Sequence, residues 1–491
     1  MPLFKTLGEF YTNYEMPLAR VFNQIDQRGI LVDQSRLEAF KKHLDVELAK
    51  HCQEIENLVH LKVVPRQPKG VKTPPGTLNI SSPTQLKDVI INQLKIKLKT
   101  DWKTKKETTG EEALNEAYAK TGNPVLKEIL TVRELNKIKG TYAEATLLDS
   151  ILYTSYSVAG TVTGRRASRE TIFTSGSGHA IGTNAQNLPK QSELGKLFRE
   201  CLVARPGMVL LSCDQAQAED WIVSGIIADV SGDTKGLEEL RRGVDRHKRL
   251  AMQIFQKPES ECLKGTMFRY MGKKTRHAGN YGMTAPRMSV ELAKEGFSLT
   301  QMYCESLLER FHAYEPEIRN SFQHWIRTRL ETTRTLRTPV GRERYFFGLR
   351  PAADNGKIFK EAYSYIPQST VGDNTGLAIL HCEIVREGWV VMDGHDAITL
   401  EVPDEEGSIL EGINLLREAF NRRFTFPLKG VEIHIPIDFE LGYDLKNEVE
   451  LKCQDGDYRT GLHNIQPILH QLRSHQSRIT SGLPQQPLAA S

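Results

Sequence analysis

The sequence predicts an α+β protein. Three observations point there: long helical patterns before residue 60 and over 233–335, a buried-strand pattern at Gly207–Cys213, and two late apolar runs joined by an Asp-Gly turn. At 491 residues, roughly three domains or lobes are expected.

The elements follow in order. Glu15 to Leu58 is helical in pattern, with a break at Arg28-Gly29. The stretch PRQPKGVKTPPG is punctuated by Pro and Gly and reads as a loop, and Ser82-Pro83 opens a helix. Asn123 to Leu148 is helical again, whereas 157–189 is rich in Gly, Ser and Thr and reads as irregular. Gly207–Cys213 is a buried strand, and a helix begins near Ala216. Gly388–Met392 and Ala397–Val402 flank Asp393-Gly394-His395-Asp396 as a hairpin, and Val431–Ile437 is a further strand. Residues 453–491, rich in Gln, Ser, His and Pro, are expected to be a disordered tail.

Composition excludes several classes. Apolar residues are 39%, charged residues 26%, and formal charge is only +4. That is neither a fibrous chain nor an indiscriminate polycation. Seven cysteines with no CxxC pair argue against a disulfide framework or zinc finger and for a reducing, cytoplasmic setting. No apolar run reaches the ~20 residues of a membrane helix, and the first residues lack a signal-peptide pattern, so no membrane association is expected. Charge is uneven, however. From Lys62 to Lys106 there are eleven Lys/Arg against Asp88 and Asp101, a local +9. Such a stretch is either a solvated basic loop or an arm that tracks a phosphate backbone.

Two aspartates carry candidate chemistry. Asp214 ends a buried strand where a helix begins, and Asp396 sits at a hairpin tip. Two carboxylates on adjacent strands could hold two Mg²⁺ ions ~3.5–4 Å apart, as in-line phosphoryl displacement requires. Each alone fits an ordinary helix start or turn. A third feature gives the pairing weight: Arg269, Lys273, His277 and Tyr281 recur every four residues. On a helix they share nearly one face over ~18 Å, which suits a polyphosphate with an attached base.

The spacing Arg269-x3-Lys273-x7-Tyr281-Gly282 resembles the fingers-helix motif of A-family DNA polymerases, the class of bacterial DNA polymerase I and many phage replicases. Other segments agree in order. Asp214-Gln-Ala-Gln217-Ala-Glu219 is similar to the first palm motif and His395-Asp396 to the second. Thr163-Gly164-Arg165 and Asn184-Ala-Gln186-Asn187-Leu-Pro189 resemble the primer–template segment. Asp245-Arg-His247 resembles a fingers phosphate contact, Ile366-Pro-Gln368 the minor-groove glutamine region, and Arg133–Lys139 with Tyr142 the end of the thumb.

The resemblance, which spans about residues 14–452, implies a right-hand polymerase fold with an antiparallel palm sheet, helical fingers and a helical thumb. The palm would come from 1–30, 147–218 and 388–452, the thumb from 31–146 and the fingers from 219–387. It implies template-directed addition of dNTPs to a primer 3′ end, with primer-template DNA as partner. Asp214 and Asp396, with the main-chain carbonyl of Gln215, would hold two Mg²⁺, and Lys273 would act at the leaving pyrophosphate. Arg269, His247, Gln217, Glu219, His277 and Tyr281 would bind the nucleotide, Glu219 excluding a 2′-hydroxyl. Arg165, Asn184, Gln186, Asn187, Gln368, His395 and Lys139 would contact DNA, and the +9 stretch would fall in the thumb.

Departures are specific. Ala397 replaces the Glu usual after His-Asp, His277 an aromatic residue, Gln215 a Tyr and Trp221 an Arg. With the thumb pattern starting almost at Met1, no proofreading exonuclease is expected, as in phage-type members. A separate polypeptide would supply that activity or it would be absent, and the tail could recruit a clamp protein. A single-subunit RNA polymerase shares the aspartates and the helix, but Glu219 argues for deoxyribonucleotides. A catalytically silent scaffold would not need Asp214, Lys273 and Asp396, and a nuclease would not need the triphosphate-gripping helix.

Overall fold

The computed structural model describes the chain apart from residues 1, 67–70, 102–104, 172, 175, 177–179, 189–191, 296, 298, 350–354, 452–464 and 481–491. It forms two compact units. One comprises Met1–Asp33, Thr146–Gly282 and Arg310–Ser491, the other Gln34–Ala145 and Met283–Glu309.

The second unit is mainly helical. Gln34–Val59 places Leu37, Phe40, Leu44, Leu48 and Ile55 at helical spacing, and it packs on Pro124–Ile138 through their buried sides. The second helix starts where Asn123 accepts from the Val125 N–H at 2.9 Å and Pro124 occupies the first turn. Ser82 caps Pro83–Lys87 in the same way. Lys62–Val64 and Thr77–Asn79 pair as short parallel strands on either side of the loop expected at 65–76. Parts of both basic runs lie outside the described residues. Ala285–Lys294 packs on Glu111–Thr121, tied by Arg287 to Glu112 at 3.3 Å. Residues 283–309 therefore cluster here, not with the rest of the 219–387 segment assigned to them from sequence.

The larger unit is organised by a five-stranded antiparallel sheet. Its strands are β1 (Met208–Gln215), β2 (Val390–Asp393), β3 (Ala397–Pro403), β4 (Ile437–Gly442) and β5 (Val449–Leu451), in the spatial order β2-β3-β1-β4-β5. Alternation decides which face is which. Val209, Leu211 and Cys213 of β1 are buried, and Leu211 meets Gly412 of the helix Glu406–Phe420. Ser212 and Asp214 point to the other face, and Asp214 is exposed. The expected strand at Val431–Ile437 is split. Glu432–His434 pairs with Arg423–Thr425, and β4 starts only after Pro436, which has no N–H for a ladder.

Four further helices matter for the site: α1 (Ala218–Ser231), α2 (Arg246–Phe255), α3 (Met267–Asn280) and α4 (Gly356–Val385). The glycines of α3 reflect packing. A Cβ at Gly272 would lie 2.6 Å from the His247 carbonyl, and one at Gly279 2.2 Å from the Phe311 ring. The tail departs from the expected disorder: Ile465–Thr480 is helical. Leu469 and Leu472 are buried, and Arg473 pairs with Asp404 at 2.9 Å. The rest of 453–491 lies outside the described residues. The six described cysteines are buried free thiols, and no described helix is long and apolar enough to cross a membrane.

Candidate active site

Asp214 is the penultimate residue of β1. It lies opposite Ala397 of β3 on one side and Asp438 of β4 on the other. Asp396 immediately precedes β3, and its carbonyl accepts from the Gln215 N–H at 3.2 Å. Ladder spacing then puts the Asp214 and Asp396 Cα atoms on the order of 6 Å apart. His395, at φ 75°, turns the chain out of the hairpin just before Asp396. Two residues far apart in sequence are thus neighbours at one end of the sheet. Asp438 lies beside Asp214 on the open face, a carboxylate the sequence reading missed. Its only signal was the alternation of Ile437, Phe439 and Leu441, which leaves 438 facing out.

The hairpin tip is held by a buried ion pair that the sequence reading also missed. Arg166 donates to Asp393 from Nε at 2.5 Å and Nη2 at 2.8 Å, and Nη2 also reaches the His395 carbonyl at 2.9 Å. Gln186 donates to the same carboxylate at 2.9 Å, and the His395 N–H does so at 3.1 Å. Asn184 accepts from the Asn187 N–H at 3.2 Å and from Ser168 at 2.6 Å, fixing the short turn that carries Gln186. The His395 imidazole is held below its ordinary pKa, by burial first.

Glu219 is the second residue of α1, five residues beyond Asp214. Its carboxylate takes Arg165 at 2.6 Å and the Tyr281 hydroxyl, with His277 Nε2 at 3.6 Å. Burial, then the Glu219 charge, pushes the Tyr281 phenol well above its usual pKa. Arg165 lies along α4, since a Cβ at Gly372 would be 3.6 Å from its Cγ. Gln368 is half-buried one turn earlier on α4.

The α3 ridge runs from half-buried Arg269 through exposed Lys273 and His277 to buried Tyr281, which caps the helix instead of lying inside it. Arg269 Nε meets Asp245 at 2.5 Å, and Asp245 also caps α2 through the Lys248 N–H at 3.0 Å. Burial raises the Asp245 pKa, but that cap and Arg269 outweigh it and hold the carboxyl low. His247 is held well below its usual pKa by burial, then by Arg276 and Lys273. His277 is lowered by its crowded surroundings, with Arg165, Lys274 and Lys273 adding and Glu219 opposing, although half its ring is open. Both imidazoles are therefore neutral donors or acceptors at pH 7.

Two sequence-derived candidates sit differently from the rest. Gln217 spends its side chain on the main chain of 244 and 246, at 3.1 and 2.9 Å. It braces the turn that presents His247. Lys139 belongs to the other unit, paired with Asp45 at 2.5 Å. The Gln215 side chain is buried, bonding Thr375 at 2.8 Å and Asn374 at 2.7 Å, which leaves only its main chain for a ligand.

Beneath the ridge lies a buried charge cluster. Arg276 forks onto Glu315 at 2.7 and 2.5 Å, Arg246 reaches Glu315 at 2.8 Å and Glu239 at 3.3 Å, and Asp220 lies 3.4 Å from Arg276. Burial would raise the Glu315 pKa, but the two guanidiniums outweigh it and hold it low.

Among the described residues no cluster of three or more His, Cys, Asp or Glu is arranged as a ready-made metal cage. Two carboxylates and a main-chain oxygen at a sheet end are instead a sparse, hard donor set. Mg²⁺, which keeps water and substrate phosphate in its shell, fits such a set.

Comparisons with known proteins agree with this architecture. The model of DNA polymerase family A matches residues 35–446. A thermostable DNA polymerase I from Thermus filiformis is 28% identical over 463 residues, covering 90% of this chain and 49% of the relative. DNA polymerase I from Geobacillus stearothermophilus is 24% identical, covering 89% and 46%. The chain thus spans about half the length of the curated relatives it matches. Among solved structures, the POL domain of Pol1 from M. smegmatis, in complex with DNA primer-template and dNTP, aligns with TM-score 0.70 and 21% identity. That alignment covers 89% of this chain and 71% of the other, and it establishes the right-hand polymerase fold expected from sequence. The chain belongs to DNA polymerase family A.

Proposed function

We propose that this chain is a DNA-directed DNA polymerase, which extends a primer 3′ end with dNTPs along a template. The observation that carries the reading is the meeting of Asp214 and Asp396 at one sheet end, with the α3 ridge joined to the same place through Glu219. A sheet end holds carboxylates rigidly, and the ridge offers fixed cations where phosphate charge develops.

Asp214, Asp396 and the Gln215 carbonyl would hold the divalent ions, two in this reading. Bound there, Mg²⁺ supplies activation of the attacking hydroxyl and neutralisation of phosphate charge. The residues of the chain do the remainder. Arg269 and His247 hold the outer phosphates, with Asp245 fixing the Arg269 fork. Lys273, exposed on the ridge, donates a proton or a charge to the departing pyrophosphate. Glu219, braced by Arg165 and Tyr281, fills the space a 2′-hydroxyl would need. Arg165 and Gln368, adjacent along α4, donate to minor-groove acceptors common to all correct pairs.

A primed-template assay with Mg²⁺, comparing dNTPs with rNTPs, tests this. Extension with dNTPs that disappears in Asp214→Ala is the expected result. Extension unchanged by Asp214→Ala, or faster with rNTPs than with dNTPs, would overturn it.

A further inference from the structure

Short strands Thr335–Arg337 and Glu343–Tyr345 form a hairpin laid along α4. Arg342 anchors one end to Asp373 at 2.9 Å, and Arg344 ties the other to Glu361 at 2.9 Å. The chain leaving this hairpin therefore runs toward the start of α4. Alternation along it turns Phe346 inward, at 2% exposure, and turns Tyr345 and Phe347 outward, at 44% and 80%. The two outward rings lie 4.5 Å apart. An aromatic pair this open contributes almost nothing to the core.

The segment that carries it is cationic, with a further cation–ring contact nearby in sequence. From Arg319 to Lys360 the sequence has ten Lys/Arg against three acidic residues. The Arg327 guanidinium lies 5.5 Å over Phe359 and 5.8 Å over Tyr363. The strip also leads back to the candidate active site. A Cβ at Gly348 would be 3.8 Å from Ile358, and one at Gly282, next to Tyr281, would be 3.7 Å from Lys360.

We infer that Tyr345 and Phe347 form a stacking platform for unpaired bases of the template strand ahead of the primer end. Ring faces beside fixed cations are the chemistry that holds single strands. A duplex keeps its base faces stacked inside and offers these rings nothing to stack on. The inference rests on the polymerase reading, which supplies the template as occupant.

Binding of the full chain to fluorescent primer-templates tests it, using 5′ overhangs of one nucleotide and of about eight, a length matched to a single-strand site of this kind. The wild type should prefer the long overhang. Tyr345→Ala with Phe347→Ala should weaken the long-overhang complex by roughly tenfold, the scale of one lost base–aromatic stack, and leave the short one unchanged. Phe347→Trp should keep the preference. Equal weakening on both lengths, or an unaltered preference, overturns the platform. Extension on the short overhang separates the two ideas. Its absence in the wild type sinks the polymerase reading, whereas an extending double variant with intact overhang preference sinks only the platform.

Discussion

Arg166 and Asp393 form a two-point ion pair, at 2.5 and 2.8 Å, with both side chains almost wholly buried. The pair spans 227 residues of sequence and fixes the turn that leads to Asp396. Replacing Arg166 by Met would strand a buried carboxylate, at a cost of about 3–5 kcal/mol. Urea unfolding of Arg166→Met should show that loss, and primer extension should fall with it. Arg166→Lys should not restore the wild type, because an ammonium cannot make both bonds and also reach the His395 carbonyl.

Asp214 is exposed, so its removal should separate chemistry from stability. Asp214→Ala should lower the extension rate by about 10³-fold or more, the scale of losing ~4 kcal/mol of transition-state stabilisation. Its unfolding midpoint should stay within ~0.5 kcal/mol of the wild type, as for other surface changes.

Glu219 is positioned by Arg165 and Tyr281. Glu219→Ala opens the space it fills and should raise rNTP use relative to dNTP use by at least about tenfold in competition assays. Glu219→Gln keeps the volume and should change the ratio far less. Tyr281→Phe frees one side of the carboxylate and should fall between the two.

The Arg246–Arg276–Glu315 cluster supports α3 from below. Glu315→Gln leaves two buried guanidiniums short of charge, and calorimetry should show a loss of about 3–5 kcal/mol. Because the Glu315 pKa is depressed in the fold, its stabilisation is present above the unfolded carboxylate pKa. It disappears as pH drops through the lower folded value.

His312 gives an acid-sensitive term of its own. Burial, then Arg319, lowers its pKa from 6.5 to about 4. Below pH 6.5 the unfolded chain takes up a proton that the folded chain refuses. Stability should therefore fall by about 1.4 kcal/mol per unit as pH goes from 6.5 towards 4. Urea midpoints at pH 7 and 4.5 should differ less in His312→Gln than in the wild type.

The sequence by itself determined the local elements and the family. Branched apolar runs marked β1 and the β2–β3 hairpin, a four-residue step marked the α3 ridge, and Ser82 marked a helix start. Each is a property of neighbouring residues, which is why each was legible. Only the tertiary structure decided what meets what. Register placed Asp438 beside Asp214, burial paired Arg166 with Asp393 and assembled the Arg246–Arg276 cluster, and packing drew 283–309 to the other unit. The Gln217 amide, a substrate contact in the sequence reading, bonds the main chain of 244 and 246. Such pairings depend on groups 27 to 227 residues apart losing their water together, and no local pattern of side chains records that event.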